Sequence, residues 1–253
     1  MIARADSGLV RELRAAVNFN DRAFRVELLV LHYTGMQGEE AALDWLCRPE
    51  SRVSCHYFVF SDGRIVQSVP ESERAWHAGA SRWRGMDDLN SRSIGIEIAN
   101  PGHEFGYVAF ADAQIEAVIA LAGDIVRRNR IAARNVVAHS DIAPARKQDP
   151  GELFPWKRLF DAGVGLWVEP SAIEAGPVLR PGDFGADVAR LRGDLAAFGY
   201  PLAGGEEYDL ETSQAVAAFQ RHFRPVLVDG LADTSTVATL ARLLAAVDEH
   251  PAV

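Results

Sequence analysis

Cysteine is scarce in this chain. Cys47 and Cys55 are the only two among 253 residues, too few for a disulfide framework, and free thiols are the expectation. No apolar run reaches the ~18 residues of a membrane span, so no crossing of a bilayer is expected. Met1 to Gly8 lacks the apolar core of a signal peptide; the expected compartment is the cytoplasm, with the periplasm as the alternative if an export signal was removed. Positive charge is in deficit, with 26 Lys and Arg against 35 Asp and Glu and a net charge of −9. Nucleic-acid affinity rests on Lys and Arg, so nucleic acid is excluded as a partner, and no polybasic stretch marks a membrane surface. An H-E-x-x-H helix, the zinc-protease signature, is absent too, which argues against a metalloprotease. What remains, 48% apolar and 24% charged residues, is a soluble globular composition with room for one large domain or two smaller ones.

The hydrophobic pattern predicts the elements. Leu9 to Val17 reads as a short helix and Asn18 to Asp21 as a turn. Phe24 to His32 is a β-rich apolar run, a central strand buried on both faces and ending at His32. A helix follows over Glu39–Cys47, stopped by Pro49. Strands over Val53–Phe60 and Ile65–Val69 flank a tight turn at Ser61–Arg64. Ser93 to Ala99 alternates, with Ile94, Ile96 and Ile98 on one face and Gly95 and Glu97 on the other. Asn100–Tyr107 is expected as a loop. Ala111–Arg128 reads as an amphipathic helix whose stripe is Ile115, Val118, Ile119, Ala122 and Ile125. A short strand over Asn135–Ala138 delivers His139, and a last helix spans Leu153–Phe160. Composition then shifts: residues 1–167 form a first domain, 168–178 a linker, and 179–253 a small three-helix unit. Its helices are Ala186–Phe198, Leu210–Phe223 and Thr234–Val247, with Asp209 and Asp233 as N-caps.

The chemistry concentrates in Ala138–Gly151. His139 and Asp149 offer an imidazole and a carboxylate, and Pro150-Gly151 sets Asp149 at a turn. That pair suits Zn²⁺, which needs a third ligand; His32, at the end of a buried strand, is the candidate. An ordinary surface loop and a hydrogen-bonded core histidine are the plainer alternatives. Glu97 puts a carboxylate inside an apolar strand, which is costly without a partner or a role. His56, inside the second strand, either lines the site or belongs to the core or to the layer just behind the site, and the latter readings are favoured. Trp76 to Gly79 and the polar stretch Ala80–Arg92, with Trp83 and Asn90, read either as a groove for carbohydrate or peptide or as a plain connector. Together, two imidazoles and a carboxylate on Zn²⁺, Glu97 as proton carrier and Lys147 as oxyanion partner are the parts needed to hydrolyse an amide.

Five stretches in order then resemble a known family. L-L-V-L-H-Y-T-G, S-C-H-Y-F-V-F-S-D-G, W-H-A-G, N-x-x-S-I-G-I-E-I and A-H-S-D-I-A-P-x-R-K-x-D-P-G are similar to the zinc-dependent N-acetylmuramoyl-L-alanine amidases, in the superfamily of T7-lysozyme-like amidases and peptidoglycan recognition proteins. The resemblance covers about residues 18–160. It implies an α/β fold, a mixed sheet flanked by helices. It also implies His32, His139 and Asp149 as zinc ligands, Glu97 as acid/base, Lys147 as transition-state cation, and Trp76, His77 and Asn90 in the substrate groove. The bond cut would be the amide between N-acetylmuramic acid and L-Ala. D-L-E-T-S-Q-A-V-A-A-F-Q-R-H-F resembles a peptidoglycan-binding domain, although Tyr208-Asp209-Leu210 departs from the usual D-G-x-F/Y-G turn. A non-catalytic peptidoglycan receptor is the competing function. The expected substrate is soluble muropeptide, including 1,6-anhydro forms returned for recycling; intact wall is the alternative.

Overall fold

A computed structural model describes residues 4–249. The expected domain limits at residues 1 and 253 lie outside the described residues. In chain order the strands are β1 (Glu12–Leu13), β2 (Phe19–Asp21), β3 (Leu28–Tyr33), β4 (Tyr57–Val59), β5 (Ile65–Gln67), β6 (Glu73–Ala75), β7 (Ser93–Ile98), β8 (Val136–Ala138), β9 (Val178–Leu179) and β10 (Ala232–Asp233). The helices are α1 (Glu39–Cys47), α2 (Leu89–Arg92), α3 (Gly102–Phe105), α4 (Asp112–Asn129), α5 (His139–Ile142), α6 (Trp156–Asp161), α7 (Ala186–Phe198), α8 (Leu210–Phe223) and α9 (Thr234–Glu249). Among the described residues no helix is long and apolar enough to cross a membrane.

The main sheet is six-stranded and mixed, in the order β1-β5-β4-β7-β3-β8. Only β4 and β5 pair antiparallel, as their tight turn requires. β3 lies between β7 and β8 and is buried along nearly its whole length, which is why Leu28–His32 reads as a continuous apolar run. The pleat sends Leu29, Leu31, Ile94, Ile96 and Ile98 to one face, where α4 covers them with Ile115, Val118, Leu121, Ala122 and Ile125. Ile119 is only half-buried; Leu121 takes its place in the stripe. The other face carries Leu28, Val30 and His32 from β3.

That second face is covered by the C-terminal helices. Leu28, Val30, Val137 and Ile142 share one buried cluster with Leu191, Leu195, Phe198, Phe219 and Phe223. Trp83 is wholly buried in the seam, edge-on to Phe198 and Tyr200 at 5.6 and 5.4 Å. Of the two readings of Ala80–Arg92, groove or plain connector, the groove does not hold for Trp83: apolar area dominates, and its ring goes to the core. Gly199 makes the approach possible, since a Cβ there would lie 2.7 Å from the Trp83 ring.

Other departures have local causes. Leu9–Val17 is not a helix. Glu12–Leu13 instead pairs parallel with Val66–Gln67 at the sheet edge, and Arg11 N–H donates to Ile65 O at 2.9 Å, so ladder bonds override weak helix propensity. Asn18–Asp21 is not a turn; β2 pairs antiparallel with β6. Asn100–Tyr107 contains the short helix α3, and the helix expected from Leu153 starts only at Trp156, after Pro155. Asp209 and Asp233 cap as expected, accepting from Thr212 and Thr236 N–H at 2.8 and 2.7 Å. Cys47 and Cys55 are free thiols.

Candidate active site

Parallel register builds the site. β3 and β7 pair so that His32 lies directly opposite Glu97, both on the face away from α4. β8 pairs Ala138 with Leu31, so His139, the next residue, arrives level with His32 and opens α5. Ala138–Gly151 is thus a short helix followed by a turn rather than a plain loop. Ser140 N–H donates to Asp149 O at 3.0 Å and folds the turn back onto α5.

Three buried ligand atoms converge. His32 Nδ1 and His139 Nδ1 are 2.9 Å apart, and Asp149 Oδ2 lies 3.1 and 3.0 Å from them. Tetrahedral ligands at ordinary zinc bond lengths stand ~3.3 Å apart, so the spacing fits a small divalent cation. The protonation logic fits too. His139 Nε2 is 3.2 Å from the carbonyl of Ala78, which can only accept, and 3.5 Å from the Arg146 guanidinium, which can only donate; the shorter contact places the proton on Nε2 and leaves Nδ1 bare. For His32 the same result comes through a relay. Ser93 Oγ–H donates to Leu89 O at 2.5 Å, so Ser93 Oγ accepts from His77 Nε2–H at 3.2 Å. His77 Nδ1 then accepts from His32 Nε2–H at 3.0 Å, leaving His32 Nδ1 bare. Two imidazole lone pairs and a carboxylate oxygen therefore face one point. Such a cluster repels itself unless a cation lies among its members.

Electrostatics keep His32 and His77 neutral. Burial, aided by His139 and opposed by Asp149, lowers His32 to about 4. Burial and the neighbouring His32 and His56 hold His77 well below the usual histidine range. Burial and the Asp149 charge raise Glu97 well above the usual carboxylate range, with Lys147 opposing. Glu97 Oε2 is buried with no hydrogen-bond partner, an acceptor left open beside the triad.

The triad lies in a cavity of about 510 Å³, also lined by Glu97, His77, Arg146 and Lys147. Of the substrate-groove residues expected from sequence, only His77 lines it, and it does so as the partner of His32. Asn90 is buried and its Oδ1 accepts from His77 and Ala78 N–H at 3.0 and 2.7 Å, holding the W-H-A-G segment in place. Trp76 donates its indole N–H to Asn20 Oδ1 at 2.6 Å, away from the cavity. Sequence reasoning missed Trp45, Tyr33 and His103, which line the cavity. Tyr33 OH lies 2.9 Å from His103 Nδ1, and His103 stacks on Tyr107 at 4.4 Å. Gly102 allows this wall, since a Cβ there would meet the Tyr33 ring at 2.6 Å. That glycine, within H-Y-T-G-like neighbours only in space, gave no signal in the chain.

Comparison with known proteins agrees with the geometry. Residues 22–152 match the family of N-acetylmuramoyl-L-alanine amidases, and residues 184–240 match a putative peptidoglycan binding domain. The chain is 41% identical over 232 residues to N-acetylmuramoyl-L-alanine amidase AmiD of Escherichia coli K12, covering 87% of this chain and 83% of that one. It is 42% identical over 108 residues to 1,6-anhydro-N-acetylmuramyl-L-alanine amidase AmpD of Citrobacter freundii, covering 43% of this chain and 56% of the relative. Among solved structures, the E. coli AmiD complex with anhydro-N-acetylmuramic acid-L-Ala-D-gamma-Glu-L-Lys superposes with a TM-score of 0.75 at 39% identity, covering 92% of this chain and 94% of that one. AmpDh3 of Pseudomonas aeruginosa, in complex with anhydromuramic pentapeptide, gives 0.72 at 32% identity over 100% of both chains. The chain belongs to the N-acetylmuramoyl-L-alanine amidase family.

Proposed function

We propose that this amidase uses Zn²⁺ held by His32, His139 and Asp149 to release the stem peptide from 1,6-anhydro-N-acetylmuramyl peptides, in peptidoglycan recycling. The observation that carries the metal is the triangle of two bare Nδ1 atoms and one carboxylate oxygen, 2.9–3.1 Å on a side. When bound, the ion supplies Lewis acidity, polarising the scissile carbonyl and acidifying water. Glu97, opposite His32 in the sheet, takes the proton of the attacking water and passes it to the leaving amine of L-Ala. Lys147, on the cavity wall, stabilises the oxyanion of the tetrahedral intermediate. His77 holds His32 in the tautomer that leaves Nδ1 free.

The anhydro-muramyl ligands of the two similar structures support the substrate class. The cytoplasm is the compartment that recycling of soluble fragments implies. A second reading, action on intact wall in the periplasm, is favoured by the match of residues 184–240 to a peptidoglycan binding domain. Mass spectrometry of products from anhydro-muropeptides beside intact sacculi tests both. Release of peptides beginning at L-Ala from the soluble substrate supports the proposal. Preferential release from sacculi moves the enzyme to the wall, and cleavage of any other bond overturns the assignment.

A further inference from the structure

The seam between the two units passes directly behind a metal-ligand candidate. α5 is a single turn of four residues, too short to hold itself, and His139 is its first residue. Asp141, two residues on, is wholly buried. A buried carboxylate must be saturated with donors. Oδ2 accepts from Ala138 N–H at 2.8 Å, across the start of the helix. The other two donors come from the C-terminal unit: Tyr200 O–H to Oδ1 at 2.8 Å and His222 Nδ1–H to Oδ2 at 2.7 Å. Both donors are themselves fixed. Tyr200 lies edge-on to Trp83 at 5.4 Å, and His222 is sandwiched between Trp156 at 3.7 Å and Phe223 at 3.9 Å. Arg82 N–H donates to Ile142 O at 3.0 Å and closes the other end of α5.

We propose that Tyr200 and His222 are positioning residues for the active site: through Asp141 they set the helix that carries His139, so the C-terminal unit is a working part of the catalytic fold as well as a wall-binding module. This rests on the reading of His139 as a metal ligand. Neither residue reaches the cavity, so neither is catalytic; each acts on the site through one carboxylate. A module that only anchors the enzyme needs no such contact. Its surface could be joined by any apolar seam, whereas a buried aspartate two residues from the ligand makes the seam sensitive to the ligand's position.

The test is zinc affinity of the full chain, by competition with a chelator of known affinity. His139→Ala must lose zinc; if it does not, the ligand reading fails and the inference with it. Tyr200→Phe removes one oxygen, and His222→Asn keeps an N–H near the Nδ1 position while His222→Ala does not. The inference expects Tyr200→Phe and His222→Ala to weaken zinc binding about tenfold or more, the scale for partners behind metal ligands, and His222→Asn to recover part of it. It also expects kcat to fall with KM little changed. If His222→Ala does not fold, Tyr200→Phe and His222→Asn decide. Folded variants with lowered melting temperature but wild-type zinc affinity would mean a merely structural seam and overturn the inference.

Discussion

Gly95→Ala offers a single-methyl probe of the His77–His32 relay. Gly95 lies in β7, and a Cβ built there would stand 2.5 Å from His77 Cγ and Nδ1. Ordinary carbon contacts are ~3.5–4.0 Å, so about 1 Å of movement is needed. The backbone cannot supply it: Gly95 N–H donates to His56 Nδ1 at 3.0 Å and Gly95 O accepts from His56 N–H at 3.1 Å. The His77 ring must move, and its 3.0 Å bond to His32 stretches past hydrogen-bonding range. Overpacking costs about 1–3 kcal/mol of stability, or roughly 2–4 °C in Tm per kcal/mol at this chain length. Loss of the partner behind a metal ligand costs a further 10–100-fold in zinc affinity. Thermal melts of metal-free protein and chelator competition read the two effects separately. His77→Ala added to Gly95→Ala should recover stability by removing the clash, without recovering zinc affinity. A Gly95→Ala protein that binds zinc as tightly as the wild type would refute the relay.

Other consequences can be checked in the same protein. Glu97→Gln should retain zinc and lose roughly 10²–10⁴ in kcat, the range for a general acid/base; near-normal turnover would reassign the proton carrier. Lys147→Ala should lower kcat by about 10² with KM little changed; a rise in KM alone would make it a ground-state contact. The metal-free protein should lose stability as pH falls. His32 and His56 are held at about 4 and about 3, both chiefly by burial, so below the unfolded value of ~6.5 the unfolded chain binds more protons. Melting temperature should therefore drop between pH ~6.5 and 4, and a flat profile there would contradict the burial of neutral imidazoles. Because Leu28 and Val30 share a cluster with Phe219 and Phe223, the two units should melt together, and two separated calorimetric transitions would refute a common core.

Much of the candidate site was legible because its residues are costly without a role. His32 at the end of an apolar run, Glu97 inside another, and the Asp149-Pro150-Gly151 turn each break a local pattern, and functional sites are where patterns break. α1, α7 and α8 begin and end where periodicity, Pro49 and Asp209 place them. The edge strands were not legible. Glu12–Leu13 and Phe19–Asp21 are strands because partners at Val66 and Arg74 offer ladder bonds, a long-range fact that no local propensity contains. Trp83 stayed open between groove and connector for a related reason: an aromatic in a polar stretch can read as a binding face, and the rings that bury it, Phe198 and Tyr200, come more than a hundred residues later. His77 read as a groove residue because its neighbours carried the resemblance. Its bond to His32 joins the segment after β6 to the end of β3, which only the folded chain brings together. Asp141 gave no sign at all, since an aspartate in a polar loop needs no further explanation.

The central claim is that His32, His139 and Asp149 hold a catalytic Zn²⁺. The most direct measurement is hydrolysis of a 1,6-anhydro-N-acetylmuramyl peptide by protein stripped of metal and then titrated with zinc, with bound zinc counted alongside. The account predicts no turnover without metal, recovery that saturates at one zinc per chain, and loss of both binding and recovery in His139→Ala. Full hydrolysis by metal-free protein, or one tightly bound zinc in His139→Ala, would contradict it.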